Sequence, residues 1–110
     1  NTHIKNARWS DASKAFKAAL RQRKTSAAAH SGLGQVAFQK GKFKEAVNHH
    51  SRSVRYASKN ASFRVNLALA YFKTKSFAQA KKACEAALKI QPSNAKAKRY
   101  LKVINRKLKK

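Results

Sequence analysis

Residues 27–60, AAAHSGLGQVAFQKGKFKEAVNHHSRSVRYASKN, and residues 61–94, ASFRVNLALAYFKTKSFAQAKKACEAALKIQPSN, are two versions of one 34-residue pattern. Laid over each other, Leu33 meets Leu67, Gly34 meets Ala68, Phe38 meets Phe72 and Phe43 meets Phe77. Ala46 meets Ala80, Val54 meets Leu88 and Asn60 meets Asn94. The register extends outward in both directions. Trp9, Ala12, Ala19 and Leu20 stand one period before Phe43, Ala46, Ser53 and Val54, and Ser26 one period before Asn60. Leu101 follows Leu67 by the same step. Bulky, small and capping residues recurring in register at this length mark a stack of supersecondary units that bury their faces on one another.

Each unit reads as two helices. Leu33, Gly34, Ala37 and Phe38 give the 3.6-residue period of an amphipathic helix over Ala27–Lys40, which Gly41 ends. A second helix is predicted over Phe43–Tyr56, with Phe43, Ala46, Val47, His50 and Val54 inward. The pattern returns over Ala61–Thr74 and Phe77–Ile90, and Pro92 stops it. Ser26, Asn60 and Asn94 each precede a first helix and are suited to cap it. Asp11 and Glu45 fall in the first turn of second helices, where the macrodipole favours an acid. Gly34, Ala46, Ala68 and Ala80 are expected where two helices cross closely. Asn94–Leu108 reads as a final helix with Leu101, Ile104 and Leu108 inward and Lys96, Lys98, Lys102, Arg106 and Lys107 in solvent. In this register residues 1–8 are the tail of a first helix and its turn. The stretch from Trp9 or Ser10 to Arg23 is then a second helix without its mate. Such a face invites cover from a longer array or a second copy, so self-association through the N-terminal helix is open.

The totals agree with helices. A chain of 110 residues, 43% hydrophobic, holds one core, and three Gly and one Pro are few for a fold rich in turns. The charge is abnormal: 27 Lys and Arg against three acids give +24. Self-repulsion of that size costs stability and points to an anionic partner, whether acidic protein, nucleic acid or anionic membrane. Cys84 alone allows no intrachain disulfide, no apolar run is long enough to span a bilayer, and the first 20 residues lack a signal-peptide core. A reducing, cytoplasmic setting is the default expectation. An opening Asn1 in place of Met suggests a processed chain or a piece of a longer one.

The pattern resembles the tetratricopeptide repeat. The family's leucine, small residue and tyrosine stand as Leu67, Ala68 and Tyr71, and as Leu33, Gly34 and Ala37 one unit earlier. Its alanine followed by an aromatic is Ala12 with Phe16, while Ala46 with His50 and Ala80 with Cys84 keep only the alanine. Its closing proline is Pro92, with Lys24 and Ser58 in the equivalent places, and His30 and Arg64 replace its opening tryptophan. The resemblance implies an all-α, right-handed α-solenoid of antiparallel helix pairs, about two and a half repeats plus a C-terminal capping helix. Its parts are a partial repeat over 1–26, repeats over 27–60 and 61–94, and the cap over 95–110.

The family's first helices line a concave groove for peptides or partner helices. Carried onto this chain, that groove is lined by Ser31, Gln35, Phe38 and Gln39, then Ser62, Val65, Asn66, Leu69, Phe72 and Lys73, then Lys96, Arg99, Tyr100 and Val103. One subfamily clamps a C-terminal carboxylate with two Lys, two Asn and an Arg. Those places hold Ser31, Gln35, Asn66, Lys96 and Tyr100, of which only Asn66 and Lys96 match. Arg21, Arg55 and Lys89 recur one period apart on second helices and would form a basic row along the convex wall.

Residues suited to catalysis are scarce. His49 and His50 point about 100° apart on a helix and do not make side-by-side metal ligands. His50 reads as a core histidine, and His3 and His30 have no partner in sequence. Cys84 reads as inert packing. The acids form no pair for proton transfer, and Gly32, Gly34 and Gly41 form no phosphate loop. Neither enzyme, metal nor cofactor is expected. The leading reading is a protein–protein interaction or scaffold module that takes a peptide or helix of an acidic partner in its groove. The alternative is electrostatic binding of nucleic acid or anionic membrane through the convex face.

Overall fold

The computed structural model describes the backbone of residues 2–22 and 26–109, and side chains from Asp11 onward within those spans. Six helices follow one another: α1 (Thr2–Gln22), α2 (Ala27–Gln39), α3 (Phe43–Tyr56), α4 (Ala61–Lys73), α5 (Phe77–Ile90) and α6 (Ala95–Leu108). No strand occurs among the described residues.

The helix ends follow from residues that repeat. Ser26, Asn60 and Asn94 take extended backbone before α2, α4 and α6. Their side-chain oxygens accept hydrogen bonds from the backbone N–H of Ala29 (3.2 Å), Phe63 (3.0 Å) and Ala97 (2.9 Å). Each cap satisfies a donor that the first turn would otherwise leave open. Within each pair the chain reverses through a left-handed residue, Gly41 (φ 80°) and then Lys75 (φ 63°). The Lys42 N–H donates to the Ala37 carbonyl at 2.8 Å, and the Ser76 N–H to the Tyr71 carbonyl at 2.9 Å. This five-back bond across a left-handed residue is the Schellman ending, made once per repeat.

Position 7 marks the one departure in element order. One period before Gly41 stands Ala7, a strong helix former that, like Lys75, could turn only by bearing the left-handed cost of roughly 1–2 kcal/mol. No turn forms there, and α1 runs unbroken from Thr2 to Gln22 instead of dividing into a helix tail, a turn and a second helix. The side chain of Trp9, one period before Phe43, and Lys24, at the position of Pro92, lie outside the described residues.

Consecutive helices pack on one another across short connections, as antiparallel neighbours do, and α2 touches α4 as α4 touches α6. The second helices α1, α3 and α5 make no such contact with one another among the described residues. First helices therefore converge on an inner wall and second helices splay on an outer one. The pairs close on small residues: Ala46, Ala68 and Ala80 are fully buried. Around the last pair Ala68, Ala80, Ala83, Cys84 and Ile104 form one core cluster, with Tyr71, Phe77, Tyr100 and Leu101 packed against it. Edge-to-face aromatic pairs close each turn, Phe38 with Phe43 at 5.2 Å and Phe72 with Phe77 at 5.4 Å. Leu108, expected inward, is 44% exposed because it lies in the last turn of α6, beyond the core cluster.

Candidate functional site: an inner groove

Two depressions lie on the inner wall and share Leu69. The first, of about 120 Å³, is bounded by Gln35, Phe38 and Gln39 of α2, His50 of α3, and Asn66 and Leu69 of α4. The second, of about 240 Å³, is bounded by Ala68, Leu69, Phe72 and Lys73 of α4 and by Tyr100, Val103 and Ile104 of α6. Each is of side-chain size. Side chains at intervals of three and four along α2, α4 and α6 share one face of each helix, which is how a linear pattern becomes a continuous groove.

Chemically the groove is an apolar floor with an amide rim. Leu69, Phe72, Tyr100 and Val103 offer hydrocarbon, and Val103 is 38% exposed. Gln35, Gln39 and Asn66 present amides that both donate and accept, the complement of an extended peptide backbone. The cation bounding either depression is Lys73, whose Nζ lies 6.0 Å from the Phe43 ring centroid, within cation–π range.

Most of the expected lining residues come together here, and some do not. Gln35, Phe38, Gln39, Asn66, Leu69, Phe72, Lys73, Tyr100 and Val103 border the depressions. Ser31 and Val65 are buried, at 6% and 3% exposure, and cannot meet a ligand. Val65 packs with Ala61, Ala87 and Ala97 where one repeat meets the next, and Ser31 stands one period earlier. Ser62, Lys96 and Arg99 are exposed but border neither depression. Arg21, Arg55 and Lys89 are all exposed at the C-terminal ends of second helices.

His50 borders the groove, although the sequence reading places it only in the core. Its signal is Gly34: a Cβ there would stand 2.8 Å from the imidazole, so glycine leaves the room the ring occupies. Burial first, then the neighbouring His49, lowers the His50 pKa to about 4, so the ring is neutral at pH 7. Its Nδ1 is buried without a hydrogen-bond partner among the described residues. His30, distant in sequence, stacks with His49 at 6.2 Å and with Tyr56 at 5.7 Å. Burial, then the charges of His30 and Arg52, lowers the pKa of His49. Cys84 is fully buried, and burial, aided by Glu85, pushes its thiol up to about 11, which leaves it protonated at neutral pH. Among the described residues no three His, Cys, Asp or Glu side chains gather as a metal site. No helix among them is long and apolar enough to cross a membrane.

Comparison with known proteins places this geometry. Two family models described as tetratricopeptide repeat match residues 37–102 and 1–50. No curated protein sequence matches significantly. Among solved structures, the first such domain of Spaghetti (RPAP3), bound to the HSP90 peptide SRMEEVD, superposes with a TM-score of 0.90 at 19% identity, over 100% of this chain and 87% of that one. The second such domain of human RPAP3, in complex with the HSP70 peptide SGPTIEEVD, gives 0.84 at 16% identity, over 96% and 88%. The Yersinia enterocolitica type III secretion chaperone SycD, in complex with a peptide of the translocator YopD, gives 0.82 at 18% identity, over 96% and 86%. At these identities the likeness is one of fold.

Proposed function

Because the chain belongs to the tetratricopeptide repeat family, we propose that it is a protein–protein interaction module that receives a peptide or helix of a partner protein in the groove along α2, α4 and α6. The observation that carries this reading is the pair of side-chain-sized depressions joined at Leu69, apolar below and amide-rimmed above. An apolar anchor seated on Leu69 and Phe72 supplies the affinity, and the amides fix the backbone. The comparable structures that hold peptides support it by analogy of fold. Lys73 at the lip and the +24 charge favour a partner with acidic residues beside its anchor.

The partner segment enters as an internal stretch, not by its C-terminal carboxylate. Of the five clamp positions, Ser31 is a buried hydroxyl, Gln35 and Tyr100 carry no charge, and only Asn66 and Lys96 keep the clamp's residue types. The module acts by binding alone. Selection from a displayed random-peptide library tests the reading. Enriched peptides should carry a large apolar residue with an acid nearby, and should lose binding at least tenfold to Leu69→Asp and to Phe72→Ala. Peptides that bind these variants as well as the unaltered chain would place the site elsewhere.

A further inference from the structure

The outward face of α6 is a second interaction surface. Lys98, Arg99, Lys102, Arg106 and Lys109 are all exposed. At 100° per residue they fall within an arc of about 100°, and from Arg99 to Lys109 they extend about 15 Å along the axis. The opposite side of the helix holds the buried Ala97 and Ile104. Arg99, Lys102 and Arg106 stand one period after Val65, Ala68 and Phe72, and two after Ser31, Gly34 and Phe38. In those earlier helices the same positions are buried or half-buried packing sites. Lys102 occupies the close-crossing position itself, where Gly34 and Ala68 admit a neighbouring helix. The charge of this face, and not the point where the chain ends, makes it a surface.

A capping helix needs a polar outer face, but solubility does not require every charge to have one sign. Lys98 and Lys102, and Lys102 and Arg106, are like-charge pairs four residues apart, which weaken the helix. Acids interspersed among them would solvate the face equally well and remove the repulsion. What a row of like cations spaced along one helix does fit is a regular row of anions. We infer that the outward face of α6 binds the phosphate backbone of a nucleic-acid duplex, without reading its sequence. A membrane fits less well: the exposed apolar residues of α6, Val103 and Leu108, lie on opposite flanks of the cationic arc and form no continuous stripe to insert, while Ala97 and Ile104 are buried in the fold. Single strands fit less well too, because the aromatic ring of α6, Tyr100, turns into the groove and leaves no platform for bases.

The test is binding of the whole chain to a short labelled DNA duplex, followed by anisotropy, with circular dichroism confirming the helix content of each variant. Five backbone contacts make the affinity fall about 500-fold between 50 and 200 mM salt. Replacing three of them, with Lys98→Gln, Lys102→Gln and Arg106→Gln together, should cut that fall to about 12-fold. An equal loss of charge on second helices, Lys14→Gln, Arg55→Gln and Lys89→Gln, should leave the 500-fold dependence in place. Equal weakening by both sets would show that net charge, not this face, drives binding, and would overturn the proposal. So would an unaltered chain that ignores duplex but binds phosphatidylserine vesicles or polyglutamate.

Discussion

At position 34 the repeat has glycine where the next repeat has Ala68, and facing it stands His50 where the next has Cys84. The two crossings trade size, a larger ring against a smaller neighbour. Gly34→Ala sets a methyl carbon 2.8 Å from a ring that is 2% exposed and has little room to move. It should cost roughly 1–3 kcal/mol of unfolding free energy in denaturant titration. The imidazole also ties stability to pH. Its folded pKa of about 4 lies below the unfolded 6.5, so on acidification the unfolded chain takes up the proton first. Stability present above pH 6.5 is lost as pH falls toward 4, by about 3 kcal/mol for this group. His50→Leu should flatten that part of the stability profile, and an unchanged slope would remove His50 as its source. The period revealed which positions are buried, because packing sites recur. It could not reveal that His50 reaches through to the groove or that His30 stacks on His49 and Tyr56, because one-off side chains leave no echo one repeat away.

Helix boundaries were legible to within a residue or so from α2 onward, because caps and turn residues act locally. Ser26, Asn60 and Asn94 cap where they stand, and Gly41 turns where it stands. The exception is α1, which continues as one long helix through Ala7, at the position where Gly41 and Lys75 turn the chain in the later repeats. Its packing is one-sided. Ala19 is exposed, whereas Ser53 and Ala87, one and two periods on, are fully buried, and α1 contacts α2 alone. Every other second helix lies between two first helices. Amide exchange should therefore be fastest across residues 11–22 and slowest in α4 and α5, in the order of tertiary cover. Protection of α1 equal to that of α5 in dilute solution would mean that something covers this face.

Across the whole molecule the dominant quantity is its charge, +24 on a body of 40 × 31 × 21 Å. Composition made the charge plain, but where it falls needed the fold. Little of it reaches the groove, where Lys73 is the cation at the edge, and five cations gather on the outward face of α6. At about 10 mM salt the screening length of about 30 Å approaches the size of the molecule, so most cations repel one another at once. At about 0.3 M it is a few ångströms, and only near neighbours still interact. Unfolding separates the charges, so repulsion favours the unfolded chain and added salt must favour the folded one. The midpoint of thermal unfolding should rise by several degrees as sodium chloride goes from about 10 mM to about 0.3 M. A polyanion that fits the surface should raise it further at a fixed low ionic strength, because bound ligand adds its own linkage term to screening. A midpoint that stays flat or falls with salt would mean that the cations are already neutralised within the folded chain.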